Sequence, residues 1–229
     1  MHLLLLNGSP KGESGNSNYL LQLLLEGVEE ANRHTHELVS LTRLKEHRHY
    51  VEMFQQADVV VMAFPLYTDM MPGIVKAFIE ELEPLCGRDG NPALGFVIQC
   101  GFPEAVQLRA LEAYLEKLSR RLACRYLGTA LKGGGEGIQS RPAFTVRDWL
   151  NNIHDLGRSL GERGEFNANA IARMAGPERL SPLSLFMTAH IGEKLIRMFF
   201  WDRLMKQNGA YERRFARPYA EPPAEWLEP

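Results

Sequence analysis

Four consecutive leucines, Leu3 to Leu6, run directly into Asn7-Gly8-Ser9-Pro10, and this junction limits what the chain can become. The run is too short for a helix and is stopped by turn residues. It therefore fits a strand covered on both faces, the usual state of a strand in a parallel sheet. From Tyr19 onward Leu20, Leu21, Leu24, Leu25 and Val28 return at helical spacing, which predicts a helix ending near Asn32. The loop between the two is small and hydroxyl-rich, with Ser9, Ser14, Asn16, Ser17 and Asn18 around one base, Lys11. Asn16 or Ser17 would cap the helix, whose first N–H groups have no internal partner. Those groups, added to the helix dipole, attract an anion such as a phosphate. A plain, well-capped strand-to-helix turn has the same composition. The loop lacks the Gly-Lys-Ser/Thr ending of a triphosphate P-loop and the three-glycine spacing of a dinucleotide turn.

The pattern then repeats. A short alternating strand is expected over residues 36–41, followed by a polar connection, residues 42–50, and a short helix ending near Gln56. Asp58 to Phe64, β-branched at its centre and stopped by Pro65, is the clearest buried strand. A loop with Pro65, Leu66, Tyr67, Thr68, Met70, Met71 and Pro72 follows, then a helix striped by Ile74, Ala77, Phe78 and Leu82. Further strands are expected over residues 93–101 and 124–131, with a long helix over residues 105–122 between them. The first of these strands gives way to Gly101-Phe102-Pro103-Glu104, the second to the glycine cluster Gly133 to Gly137. That cluster reads as a flexible connection by default, with close backbone approach to a ligand as the alternative. Such alternation implies βαβ units in a parallel sheet, whose ligands sit outside the carboxyl ends of the strands. The three unusual loops all lie at carboxyl ends.

After residue 142 the composition shifts. Residues 143–163 read as the last core helix, and residues 164–229 as a helical extension with an extended tail. Within it residues 164–182 are rich in Gly, Pro and Asn, residues 183–208 carry a long apolar helical pattern, and the proline-bearing tail starts at Arg217. At 229 residues and 45% hydrophobic, the chain has room for one α/β domain with an appendage or two small domains.

The formal net charge of -2, from 26 basic and 28 acidic residues, gives no footing for nucleic acid. Cys86, Cys100 and Cys124 are too far apart for a disulfide framework or a metal spacing, which points to a reducing, cytoplasmic setting. His34, His36, His47 and His49 cluster in sequence without supporting cysteines or carboxylates, so no metal site is expected. Four leucines do not make a secretory signal. The late apolar stretch carries His190, Glu193, Lys194 and Arg197, so no transmembrane segment is expected.

Gly8-Ser9-Pro10-Lys11 with Ser14, Asn16 and Ser17, then Pro65-Leu66-Tyr67 with Met71-Pro72-Gly73 and Lys76-Ala77-Phe78-Ile79, then Gly101-Phe102-Pro103-Glu104, together resemble the flavodoxin-like NAD(P)H-dependent FMN reductases, relatives of the iron–sulfur flavoproteins. The resemblance covers about residues 3–137. It implies an α/β, doubly wound five-stranded parallel sheet of order 2-1-3-4-5. It implies FMN as cofactor and NADPH or NADH as reductant. Ser9, Ser14, Asn16, Ser17 and Asn18 would hold the phosphate, with Lys11 as screening charge. Pro65, Leu66, Tyr67, Thr68, Met70, Met71, Gly101 and Phe102 would border the flavin ring. The flavin carries the chemistry, so no side chain is expected as a catalytic acid or base. The cysteine spacing departs from the iron–sulfur branch, and no cluster is expected.

The implied function passes electrons from a nicotinamide to a small acceptor such as a quinone, nitro compound or flavin. The alternative is a flavodoxin-type electron carrier, against which the weak net charge argues, because such carriers dock through a strong field. The apolar residues Phe186, Met187, Ile191, Leu195, Met198, Phe199, Phe200 and Trp201 exceed what one helix needs for its own sheet. They are read first as a homodimer contact, with a lipid surface or packing within the domain as alternatives.

Overall fold

In the computed structural model the leucine run becomes β1 (His2–Asn7), with Leu3 to Leu6 wholly buried. The structure describes residues 1–31, 34–187, 190, 192, 197, 201–217 and 220. Four further strands, β2 (Thr35–Ser40), β3 (Val59–Pro65), β4 (Ala93–Gln99) and β5 (Tyr126–Lys132), pair in parallel in the order β2-β1-β3-β4-β5. The three central strands are buried along their length apart from His2, whereas β2 at the edge is half-buried to exposed. This is why the central strands read as apolar runs and β2 as an alternation.

Helices cover both faces. The face of Leu4, Leu6, Val60, Met62 and Phe96 packs against α2 (His47–Gln56), α3 (Gly73–Glu81) and α4 (Val106–Arg121). The face of Leu3, Leu5, Val61 and Val97 packs against α1 (Asn16–Ala31) and α5 (Ala143–Arg163). α1 and α5 approach so closely that a β-carbon on Gly27 would collide with the His154 carbonyl, and one on Gly157 with that of Leu24. α2 starts at His47, within the segment expected as connection, because His47, Tyr50, Met53 and Phe54 turn one buried face to the core.

The stretch expected to be loop-rich after residue 164 contains α6 (Ala168–Ala175). Asn167 caps it by accepting from the amides of Asn169 and Ala170, and Phe166, Ala170 and Met174 bury one face beside β5. The chain just beyond α6 is tied to the start of α4. The Ala105 and Val106 amides donate to the Pro177 and Glu178 carbonyls, and Arg109 grips the Glu178 carboxylate. Residues 164–179 belong to the first compact unit, Met1–Arg179.

The second unit, Leu180–Pro229, is described at α7 (Pro182–Met187) and α8 (Asp202–Gln207), with a single 3-10 turn at Tyr211–Arg213. Most of the middle of the expected 183–208 helix, and most of the tail from Arg217, lie outside the described residues. Arg214 stacks on Tyr211 at 3.8 Å, and Leu183, Leu185, Phe186 and Met187 are exposed. Among the described residues no helix is long and apolar enough to cross a membrane.

Candidate functional site

The turn after β1 is stitched together by one buried side chain. Asn7 Oδ1 accepts from the Ser9 amide at 3.0 Å, while Asn7 Nδ2 donates to the Gly12 carbonyl at 2.9 Å. Asn18 Nδ2 donates to the Glu13 carbonyl at 3.1 Å, and the Ser14 hydroxyl to the Lys11 carbonyl at 2.9 Å. Gly15 has no room for a β-carbon, which would strike Ser9 Oγ. The Asn18 and Tyr19 amides bond the Gly15 carbonyl, so the Asn16 and Ser17 N–H groups at the head of α1 find no acceptor among the described residues. Ser17 Oγ is likewise buried and unpartnered. Unpaired buried donors are costly, and at a helix N-terminus an anion satisfies them.

The turn after β3 is built differently. Leu66 N donates to Gln99 O at 2.8 Å, and Tyr67 and Met70 exchange backbone hydrogen bonds at 2.8 and 3.1 Å. Between them Thr68 and Asp69 have φ of +48° and +63°, a left-handed pair that non-glycine residues adopt at a cost. Tyr67 and Met70 stand partly exposed, as does Phe102 across the cleft.

The glycine loop after β5 is a close approach. The Gly134 amide donates to Phe102 O at 2.6 Å and the Gly135 amide to Cys100 O at 2.7 Å, while a β-carbon on Gly133 would lie 2.6 Å from the Pro103 carbonyl. The loop also reaches back to α1. Asn16 Nδ2 donates to Gly135 O at 2.9 Å and Gln139 Nε2 to Asn16 Oδ1 at 3.2 Å. Gly133 and Gly135 are thus packed against the turn after β4 and the end of that strand, where a β-carbon would collide, so this part of the cluster is a close approach between two loops of the chain rather than a free connection.

These turns enclose a cleft of about 50 Å³ lined by Ser9, Lys11, Asn16, Pro65, Leu66, Tyr67, Gln99, Cys100, Gly101 and Glu136. Seven of the fourteen residues singled out from sequence are among them. Of the rest, Ser14 caps the turn, Asn18 braces it and Ser17 lies buried in the first turn of α1. Thr68, Met70 and Phe102 are exposed beside the cleft, and Met71 packs into the core below. Gln99, Cys100 and Glu136 were missed because a strand end and a glycine loop carry no marker of their own. Burial raises the pKa of the Cys100 thiol, which donates to Phe102 O at 3.3 Å and is a poor nucleophile.

A larger cavity of about 240 Å³ lies toward the sheet edge, between the first loop, β2 and α2. The smaller cleft is the better candidate, because it sits at the carboxyl ends of β1 and β3, where strand order reverses. It has room for a phosphate-sized group, since a water takes about 30 Å³. The partly exposed Tyr67, Met70 and Phe102 offer apolar surface at its rim. The unpaired donors at the head of α1 and the apolar side chains at the rim are the kinds of group that the phosphate and the ring of a flavin mononucleotide need.

The histidines are dispersed. His47 Nε2 pairs with Leu41 O at 2.8 Å, His34 with Gly161 O, and His36 and His49 face Glu29 and Glu52. Among the described residues no group of three or more potential ligands could hold a metal ion.

A family model described as the flavodoxin-like fold matches residues 1–83. Among curated proteins no match to the chain was found. Solved structures are similar over much more of it. An FMN-dependent NADH-azoreductase from Bacillus anthracis is 14% identical with a TM-score of 0.57, covering 70% of this chain and 100% of its own. An NAD(P)H:quinone oxidoreductase from Methanothermobacter marburgensis is 16% identical with a TM-score of 0.59, covering 70% and 96%. A flavone reductase is 11% identical with a TM-score of 0.59, covering 96% and 100%. Strand order, the family match and these likenesses agree that the chain has the flavodoxin-like fold.

Proposed function

We propose that the protein is an FMN-dependent NAD(P)H oxidoreductase acting on a small acceptor such as a quinone, nitro compound or flavin. The observation that carries this reading is the convergence of four strand-end turns on one cleft beside unpaired helix amides. The similarly folded azoreductase and quinone oxidoreductase, both nicotinamide-dependent by name, add support. FMN held there would supply two-electron transfer chemistry between a nicotinamide and the acceptor.

The chain's own part is to bind and orient. Asn16 and Ser17 amides with the Ser9 and Ser17 hydroxyls meet the phosphate. Pro65, Leu66 and Gly101 form the floor. Tyr67, Met70 and Phe102 border the ring and limit water at its edge. No carboxylate or histidine in the cleft is asked to move a proton. The free cysteines suit a reducing, cytoplasmic setting. The exposed apolar residues of α7 support a homodimer formed through the C-terminal unit, which light scattering tests.

Anaerobic addition of NADH or NADPH to the FMN-loaded protein tests the enzyme reading. Loss of the flavin's visible absorption within seconds, and its return on adding a quinone, is expected. A bound flavin left untouched by both nicotinamides would leave only an electron carrier.

A further inference from the structure

We infer, resting on the flavin assignment above, that Lys132 is the counter-cation of the phosphate site and sets the preference for a phosphorylated over an unphosphorylated flavin. Lys132 ends β5 in register with Gln99 of β4, so both side chains leave the same face of the sheet, and Gln99 lines the cleft. That face is the one covered by α1 and α5. Lys132 Nζ lies 5.5 Å from the ring centroid of Trp149 in α5.

The register of the two helices relates Trp149 to the head of α1. Gly27 meets His154, Gly157 meets Leu24 and Gly161 meets Val28, an offset of about 130 residues with the two helices running in the same direction. Carried back about two turns, this offset sets Trp149 level with Ser17 and Asn18. At this level two buried polar atoms, Ser17 Oγ and Trp149 Nε1, have no partner, and Ser17 is 1% exposed.

Lys132 is half-buried and makes no salt bridge to a carboxylate among the described residues. Burial and the nearby Arg141 both pull its pKa down, against a weaker opposite pull from Cys100. A cation withdrawn from water and placed beside another cation is unfavourable unless an anion joins them. The phosphate at the head of α1 is that anion. Lys11, the base singled out from sequence, is exposed, so its charge is screened by solvent and salt.

The experiment is fluorescence titration of flavin-free protein with FMN and with riboflavin, for the wild type, Lys132→Met, Lys132→Arg and Lys11→Met. A unit charge in a half-buried site near a phosphate is worth about a factor of ten in affinity. Lys132→Met is therefore expected to weaken FMN about tenfold while leaving riboflavin unchanged, with Lys132→Arg restoring the preference and Lys11→Met moving it about twofold or less. Equal weakening of both flavins by Lys132→Met, or an unchanged ratio, overturns the inference and leaves the flavin assignment standing. A wild-type protein that binds neither flavin overturns both.

Discussion

The two walls of the cleft are built on opposite principles. The first, after β1, is held by Asn7 and Asn18, whose side chains do for the turn what a ladder does for a strand, and it leaves only main-chain donors and one hydroxyl unsatisfied. The second, after β3, is closed by a two-residue turn in a strained conformation and presents partly exposed Tyr67 and Met70. A wall with fixed donors suits a small group of fixed charge. A wall with a locally strained turn and adaptable side chains suits a flat ring whose neighbours change as reductant and acceptor come and go.

If this contrast is right, substitutions on the first wall act on stability and binding together, and those on the second act on one at a time. The largest effect is expected for Asn7→Ala, which strands the Ser9 amide and the Gly12 carbonyl. Urea unfolding should show a loss of about 2–4 kcal/mol, and FMN titration a loss of about a hundredfold in affinity. Gly15→Ala forces a methyl against Ser9 Oγ. It should cost about 1–3 kcal/mol by the same unfolding assay and weaken FMN about tenfold.

Smaller effects discriminate more sharply. Ser17→Ala removes a buried hydroxyl without a partner, so the flavin-free protein should gain about 1 kcal/mol while FMN binds a few-fold more weakly. Opposite signs in one variant would mark Ser17 as a group kept for a ligand. Asp69→Gly relieves the left-handed strain on the second wall. It should raise stability by about 1 kcal/mol in thermal unfolding and leave FMN affinity within about twofold. A loss of binding in Asp69→Gly would erase the distinction between the walls.

Much of the scaffold was legible because burial on both faces leaves an unmistakable trace. Leu3 to Leu6, Val59 to Val61 and Phe96 to Ile98 announce the sheet, and turn residues mark where each strand stops. α6 was hidden by the Gly, Pro and Asn residues around it. Its signal was nonetheless present in the Asn167 cap and in Phe166, Ala170 and Met174 at spacings of four.

In the cleft, residues that stand out by type and position in the chain, such as Ser9, Asn16 and Tyr67, are among the lining. Those whose role follows from contacts made across the fold do not stand out. Asn7 looks like a turn residue until its two loop partners, Ser9 and Gly12, are in place. Lys132 looks like the end of a strand until Trp149 lies against it. The glycines from Gly133 to Gly135 look flexible until Phe102 and Pro103 are placed beside them.

The main-chain amide shifts of Asn16 and Ser17, followed by NMR as the flavin-free protein is titrated with FMN, probe the anion grip at its source. Large, saturating shifts at these two amides, much smaller with riboflavin, are expected. Saturable FMN binding that leaves both amides unmoved would place the phosphate elsewhere and contradict the assignment of the cleft.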